Sequence, residues 1–172
     1  ARPWDHGRAA LLYKDNGRRL VLSLKHGDRH DIARPAAHWL ARAAAPLLTE
    51  DALIAPVPLH WSRMLRRRFN QSALLARALA QNTGLPDCPD LLRRTVRTKS
   101  LEDLGLDCRF EALSGAISVN PVEARTAQGR SVLIVDDVMT SGATLSASAQ
   151  ACLQAGAKNV SILVLARVAK DA

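Results

Sequence analysis

Three features predict an α/β fold built on a doubly wound, mainly parallel sheet. Residues 53–57 (Leu-Ile-Ala-Pro-Val) and 132–135 (Val-Leu-Ile-Val) are unbroken apolar runs, the pattern of strands covered on both faces. A helical pattern follows each run: Leu74, Leu75, Ala78 and Leu79 after the first, and Leu145, Ala149, Cys152 and Leu153 after the second. A further strand pattern at 160–166 completes a strand–helix–strand order, which sheet chirality makes a right-handed parallel unit.

The elements follow in chain order. Residues 9–13 read as a short strand, and Asp15-Asn16-Gly17 as a turn. Leu20, Val21 and Leu24 have helical spacing, with Gly27 as the stop after Lys25-His26. A second helix is expected over 32–46 with Ala36, Trp39, Leu40 and Ala43 inward. The helix over 70–83 ends at Gly84-Leu85-Pro86. Residues 91–96 and 117–119 read as short strands, whereas 99–111 mix charge and glycine and match no period. The whole chain, 1–172, is expected to form one domain. Its N-terminal part and roughly 86–115 are expected to supply a small cap over the strand ends.

At 172 residues the chain is long enough to bury one proper core. No apolar run reaches the length of a membrane span and no signal segment opens the chain, so the expectation is a cytoplasmic protein without membrane insertion. Cys88, Cys108 and Cys152 are far apart and include no C-x-x-C, against a disulfide scaffold or zinc ribbon within these residues. Cys152 lies on the apolar stripe of its helix and reads as a small core residue. The net charge of +8, mostly arginine, attracts polyanions such as single-stranded DNA or phosphorylated small molecules; it also suits plain solubility. Aromatic content of 3% argues against a base-stacking platform for single strands.

The most informative segment is Val132-Leu-Ile-Val-Asp-Asp-Val-Met-Thr-Ser-Gly-Ala-Thr144. A buried strand delivers two acids, Asp136 and Asp137, to its carboxyl end, where open α/β sheets bind ligands. The turn Thr140, Ser141, Gly142, Ala143 and Thr144 then opens a helix, whose free amides and positive dipole end suit a phosphate. Together they point to a sugar-phosphate site. A Walker A loop would need a Lys after Gly142, and no G-x-G-x-x-G occurs in this segment. A receiver-domain acid pair sits on the first strand of its domain, and too little chain follows Asp137 for that.

These thirteen residues resemble the phosphoribosyl pyrophosphate (PRPP) motif of the type I phosphoribosyltransferases. The resemblance implies that Asp136 and Asp137 face the ribose 2′- and 3′-hydroxyls and that residues 140–144 wrap the 5′-phosphate. It also implies Mg²⁺, with Asp136 and Asp137 acting on the ion directly or through water or ribose. Thr140 stands where some of these enzymes carry an acidic base, and Thr is no base at neutral pH.

A second constellation follows residues 53–57: Pro58, His60 and then Arg63, Arg66, Arg67 and Arg68 before Phe69-Asn70-Gln71. Four arginines within six residues leave the carboxyl end of a core strand, and arginine forks suit pyrophosphate oxygens. A basic run is also often just a solvated surface. Val57-Pro-Leu-His60, Arg63 and Arg67-Arg-Phe-Asn-Gln71 resemble the ComF family, phosphoribosyltransferase-like proteins tied to DNA uptake in competent bacteria. Leu24-Lys25-His26-Gly27-Asp28 and Leu92-Arg93-Arg94-Thr95 fit the same family.

Departures are local. The family's usual N-terminal zinc ribbon has no counterpart, so the expectation is a form lacking it. Arg68 replaces a family Gly, Leu101 a Gln, and the stretch from Arg109 differs most. The resemblance implies a PRPP- or ribose-5-phosphate-binding protein linked to DNA uptake, or an active transferase to a nitrogen acceptor. It names neither the acceptor nor an oligomeric state.

Other candidates carry less. His26 and His30 are four apart, but Gly27 and Asp28 interrupt a shared helix and favour a surface turn. His60 suits an anion contact or a turn cap. Trp39 reads as packing, and Trp61 as a lid or a partner contact.

Overall fold

The computed structural model describes residues 2–26, 30–59, 69–95, 110, 113 and 115–169. Strand β1 is His6–Leu12, β2 is Leu53–Pro56, β3 is Leu92–Arg94, β4 is Ile117–Val119, β5 is Ser131–Met139 and β6 is Asn159–Arg167. Helix α1 is Asp15–His26, α2 is Ala33–Ala44, α3 is Gln71–Thr83, α4 is Ala124–Ala127 and α5 is Ala143–Gln154. The main sheet has the order β1-β6-β5-β2 with every pair parallel. Beyond β2 the chain returns once more: Ile54 N donates to Pro86 O (3.0 Å), and Cys88 N donates to Ile54 O (2.8 Å). Strands β3 and β4 form a separate antiparallel ribbon.

Alternation along the strands divides the core in two. Leu53, Ala55, Val132, Ile134, Ile162 and Val164 pack with α5 and the ribbon. Ile54, Leu133, Val135, Leu163 and Leu165 pack on the other face with Val21 and Leu24 of α1, Leu40 of α2, and Leu75 and Leu79 of α3. This is the doubly wound α/β architecture expected. No helix among the described residues is long and apolar enough to cross a membrane.

Several expectations change in detail. Asp15-Asn16-Gly17 is not a free turn but the first turn of α1, which begins directly after β1. Asp15 takes a positive φ of 48°, and a Cβ at Gly17 would run into the Leu12 carbonyl oxygen, so α1 starts folded back on β1. The N-terminal segment adds an edge strand to the main sheet and a helix on its face. Trp39 is 41% exposed and Leu153 is 40% exposed. The buried stripe of α2 is instead Ala33, Ala36, Ala37, Leu40 and Ala44, and the buried stripe of α3 is Leu75, Ala76, Leu79 and Ala80 rather than one including Leu74 and Ala78. Cys152 is fully buried as expected, and burial pushes its thiol up to about 12. The side chains of His26 and His30 lie outside the described residues.

Candidate functional site

Strands β2 and β5 are neighbours, yet their helices leave to opposite faces. Helix α3 joins α1 and α2 on one side, while α5 covers the other. A crevice therefore opens between the carboxyl ends of β2 and β5, the switch point at which such sheets bind ligands.

The acid pair stands there for a reason of register. The last residue of β2, Pro56, pairs with Val135, and Val57 N donates to Val135 O at 2.9 Å. On its other flank β5 keeps pairing with β6 to the end, Asp136 opposite Val164 and Met139 opposite Arg167. The acids are thus inside β5, not past it, but on the β2 side they lie beyond the last strand partner. That one-sided overhang is what exposes them to the crevice.

Each carboxylate is held differently. Asp136 Oδ1 accepts from Ser72 Oγ at 2.8 Å and from Asp137 N at 2.9 Å. Asp137 Oδ1 accepts from Val138 N at 2.7 Å, and its Oδ2 pairs with Lys25 Nζ at 3.3 Å. The Asp136 carboxyl is enclosed, although the residue as a whole is only partly buried. That enclosure, and next the charge of Asp137, push its pKa up to about 7; the bonds from Ser72 and Asp137 N and the charge of Lys25 oppose the rise.

Helix α3 brings Ser72 to this place through its N-cap. Asn70 Oδ1 accepts from Ser72 N (3.0 Å) and Ala73 N (3.4 Å), and Asn70 Nδ2 donates to Val57 O (3.0 Å). One buried side chain thereby ties the end of β2 to the start of α3. Pro58 is buried at the foot of this junction. His60, Arg63, Arg66, Arg67 and Arg68 lie outside the described residues, as does Trp61. Gln71 Nε2 is buried without a hydrogen-bond partner among the described residues.

The turn after β5 is built as a helix entrance. Gly142 caps α5 in the left-handed region at φ +82°, and Ser146 N donates to Gly142 O at 2.8 Å as the first helical bond. The amides of Ala143, Thr144 and Leu145 therefore have no helical acceptor, though Ser141 Oγ accepts from Ala143 N at 3.3 Å. Thr140 is exposed, Ser141 and Thr144 are half-buried, and Gly142 and Ala143 are buried. A Cβ on Gly142 would sit 3.3 Å from Trp4 Cη2 and 3.7 Å from Met139 Sδ. Gly142→Ala combines this contact with a left-handed φ, so a loss of about 1–2 kcal/mol is expected. A thermal melt of the variant beside wild type checks it, and equal melting temperatures would count against the turn described.

Sequence reasoning picked out the acids and the turn, quoted Lys25 and Asn70 only within segments that resemble the ComF family, and missed Ser72 and Trp4. Asn70 carried a readable signal as a helix-capping residue ahead of an apolar helix. Ser72 carried none and Lys25 only its place in a family-like segment, because both act across elements distant in sequence.

The Phosphoribosyl transferase domain model matches residues 74–172. The chain is 33% identical to "DNA utilization protein YhgH" of Escherichia coli O157:H7, over 96% of this chain and 73% of that protein. This chain belongs to the phosphoribosyltransferase domain family, in its ComF branch. "Competence protein F" of Haemophilus influenzae is 32% identical over 75% of this chain and 62% of its own length. "Competence protein ComFC" of Bacillus subtilis is 30% identical over 67% and 44%. Among solved structures, adenine phosphoribosyltransferase from Thermoanaerobacter pseudethanolicus has a TM-score of 0.52 at 20% identity, covering 86% of this chain and 72% of that one. Glutamine PRPP amidotransferase from B. subtilis has a TM-score of 0.55 at 17% identity; this chain spans 84% of itself but only 30% of that enzyme. These likenesses show the fold.

Proposed function

We propose that the crevice between β2 and β5 binds PRPP or another ribose-5-phosphate group, in a protein of the ComF type linked to DNA uptake. The observation that carries this reading is a single strand, β5, ending in two pinned carboxylates and an open helix N-terminus at the switch point of the sheet. Hydroxyl recognition would then fall to the end of β5 and phosphate recognition to the start of α5, the element that follows it. The names of the relatives and the net charge of +8 support the link to DNA, with single-stranded DNA as the polyanion. We place the protein in the cytoplasm, where PRPP and free thiols such as Cys88 and Cys152 are at home.

Among the described residues no cluster of three or more His, Cys, Asp or Glu could hold a metal unaided. Hard carboxylate oxygens fit Mg²⁺, an ion that keeps several waters and shares its shell with substrate phosphates. Asp136 and Asp137 are the residues that would hold it, together with the ligand's own oxygens. Bound there, Mg²⁺ would neutralise the pyrophosphate. The chain's part is to fix both carboxylates through Ser72, Lys25 and backbone amides, so that little reorganisation is needed on binding.

The whole acid pair and turn also favour a second reading, an active phosphoribosyltransferase to a nitrogen acceptor. Titration calorimetry with PRPP and Mg²⁺ tests the site, and pyrophosphate release across a panel of bases and amines tests the transfer. PRPP is expected to bind and to be displaced by ribose 5-phosphate; release on adding one acceptor selects the enzyme. No binding of either phosphosugar overturns the proposal.

A further inference from the structure

Lys25 reaches the crevice from α1, separate from the strand and turn that carry the acid pair and the open amides. It sits on α1 beside Leu24 and one turn after Val21, both fully buried, so the helix is anchored and the lysine rides on its inner flank. Its ammonium is 3.3 Å from Asp137 Oδ2, and the two side chains are only 24% and 12% exposed. This is not a surface ion pair of the kind that contributes little. A lysine used for solubility would keep its flexible stem in water.

The two acids consequently offer different chemistry. Asp136 is flanked by a neutral hydroxyl, Ser72, whereas Asp137 is flanked by a cation. An ammonium has three donors and no acceptor, a carboxylate only acceptors, and a sugar hydroxyl is both. One hydroxyl oxygen entering beside the pair can donate to Asp137 Oδ2 and accept from Lys25 Nζ at the same time. Asp137 Oδ1 is occupied by Val138 N, so Oδ2 is the oxygen left for this purpose.

We infer that Lys25 is a specificity-determining ligand of the phosphosugar, reading one ribose hydroxyl jointly with Asp137. The inference rests on the phosphosugar reading of the crevice. A sugar lacking that hydroxyl leaves a desolvated charged pair unmatched, and sites built to hydrogen-bond a hydroxyl reject such analogues strongly.

The test is calorimetry on the full chain with ribose 5-phosphate, its 2-deoxy and 3-deoxy analogues, and inorganic phosphate. Wild type is set beside Lys25→Met and Lys25→Ala. Wild type is expected to bind ribose 5-phosphate about tenfold or more tighter than one of the deoxy sugars. Both variants are expected to lose that preference and about tenfold in ribose 5-phosphate affinity, with inorganic phosphate unchanged. Wild type that treats all three sugars alike overturns the inference without any variant. So do variants that bind and discriminate as wild type does, or that lose inorganic phosphate along with the sugar, which marks a purely structural lysine. Wild type that binds neither ribose 5-phosphate nor PRPP removes the phosphosugar reading itself, and this inference with it.

Discussion

Asp136→Asn is expected to stabilise the ligand-free protein at pH 8 and to leave it nearly unchanged at about pH 4 and below, while weakening phosphosugar binding. Burial and the neighbouring charge of Asp137 raise the folded pKa of Asp136 to about 7, above the ordinary 3.8 of an aspartate. Its proton is therefore held more tightly in the native state than in the unfolded chain. The stability contributed by this protonation is fully present below about pH 4 and is lost as pH rises through about 7. Asn imitates the protonated acid, and its amide oxygen can still accept from Ser72 Oγ and Asp137 N. At pH 8 the gain is on the order of 1–3 kcal/mol, or a rise in Tm of about 2–10 °C. The same change removes a charged acceptor for a sugar hydroxyl, so ribose 5-phosphate affinity should fall about tenfold to hundredfold. Melting curves at about pH 4 and at pH 8, with calorimetry at pH 8, check both halves. A variant less stable than wild type at both pH values would mean that the acid is part of the scaffold.

The second large effect is expected from Arg63→Ala combined with Arg67→Ala. If these arginines hold the pyrophosphate, PRPP affinity falls by about tenfold or more per arginine, and ribose 5-phosphate, which has no pyrophosphate, binds as before. If they hold single-stranded DNA, the log–log salt slope of DNA binding flattens by about one to one and a half, at about 0.7 per neutralised phosphate. Titrating the double variant with PRPP, ribose 5-phosphate and single-stranded DNA at two salt concentrations separates the two roles. Unchanged affinity for all three would make the cluster an ordinary solvated surface.

The contrast between the two acids shows how far each kind of information reaches. That Asp136 and Asp137 end an apolar run and precede a Thr-Ser-Gly-Ala-Thr turn is local, and local order suffices to place them at the carboxyl end of a core strand. That one acid meets Ser72 and the other Lys25 depends on α3 and α1 reaching the same crevice from one face of the sheet. Those residues are 64 and 112 positions from their partners, and no periodicity links them. The misjudged packing of Trp39 and Leu153 has the same origin. Spacing says which residues share a helix face but not where that face's edge meets water, which depends on the neighbours.

The sequence by itself determined the parallel α/β class, the strand positions at β2, β5 and β6, the helix that follows each of the first two, and the turn that opens the second of these helices. Each of these rests on interactions within a few residues: alternation, helical period, capping and the left-handed freedom of Gly142. Only the tertiary structure decided that β1 joins the main sheet beside β6, that β5 outruns β2 and so bares its acids on one flank, and that a lysine and a serine from separate helices hold them. These follow from which faces are buried against which, a property of the assembled core that no single segment encodes.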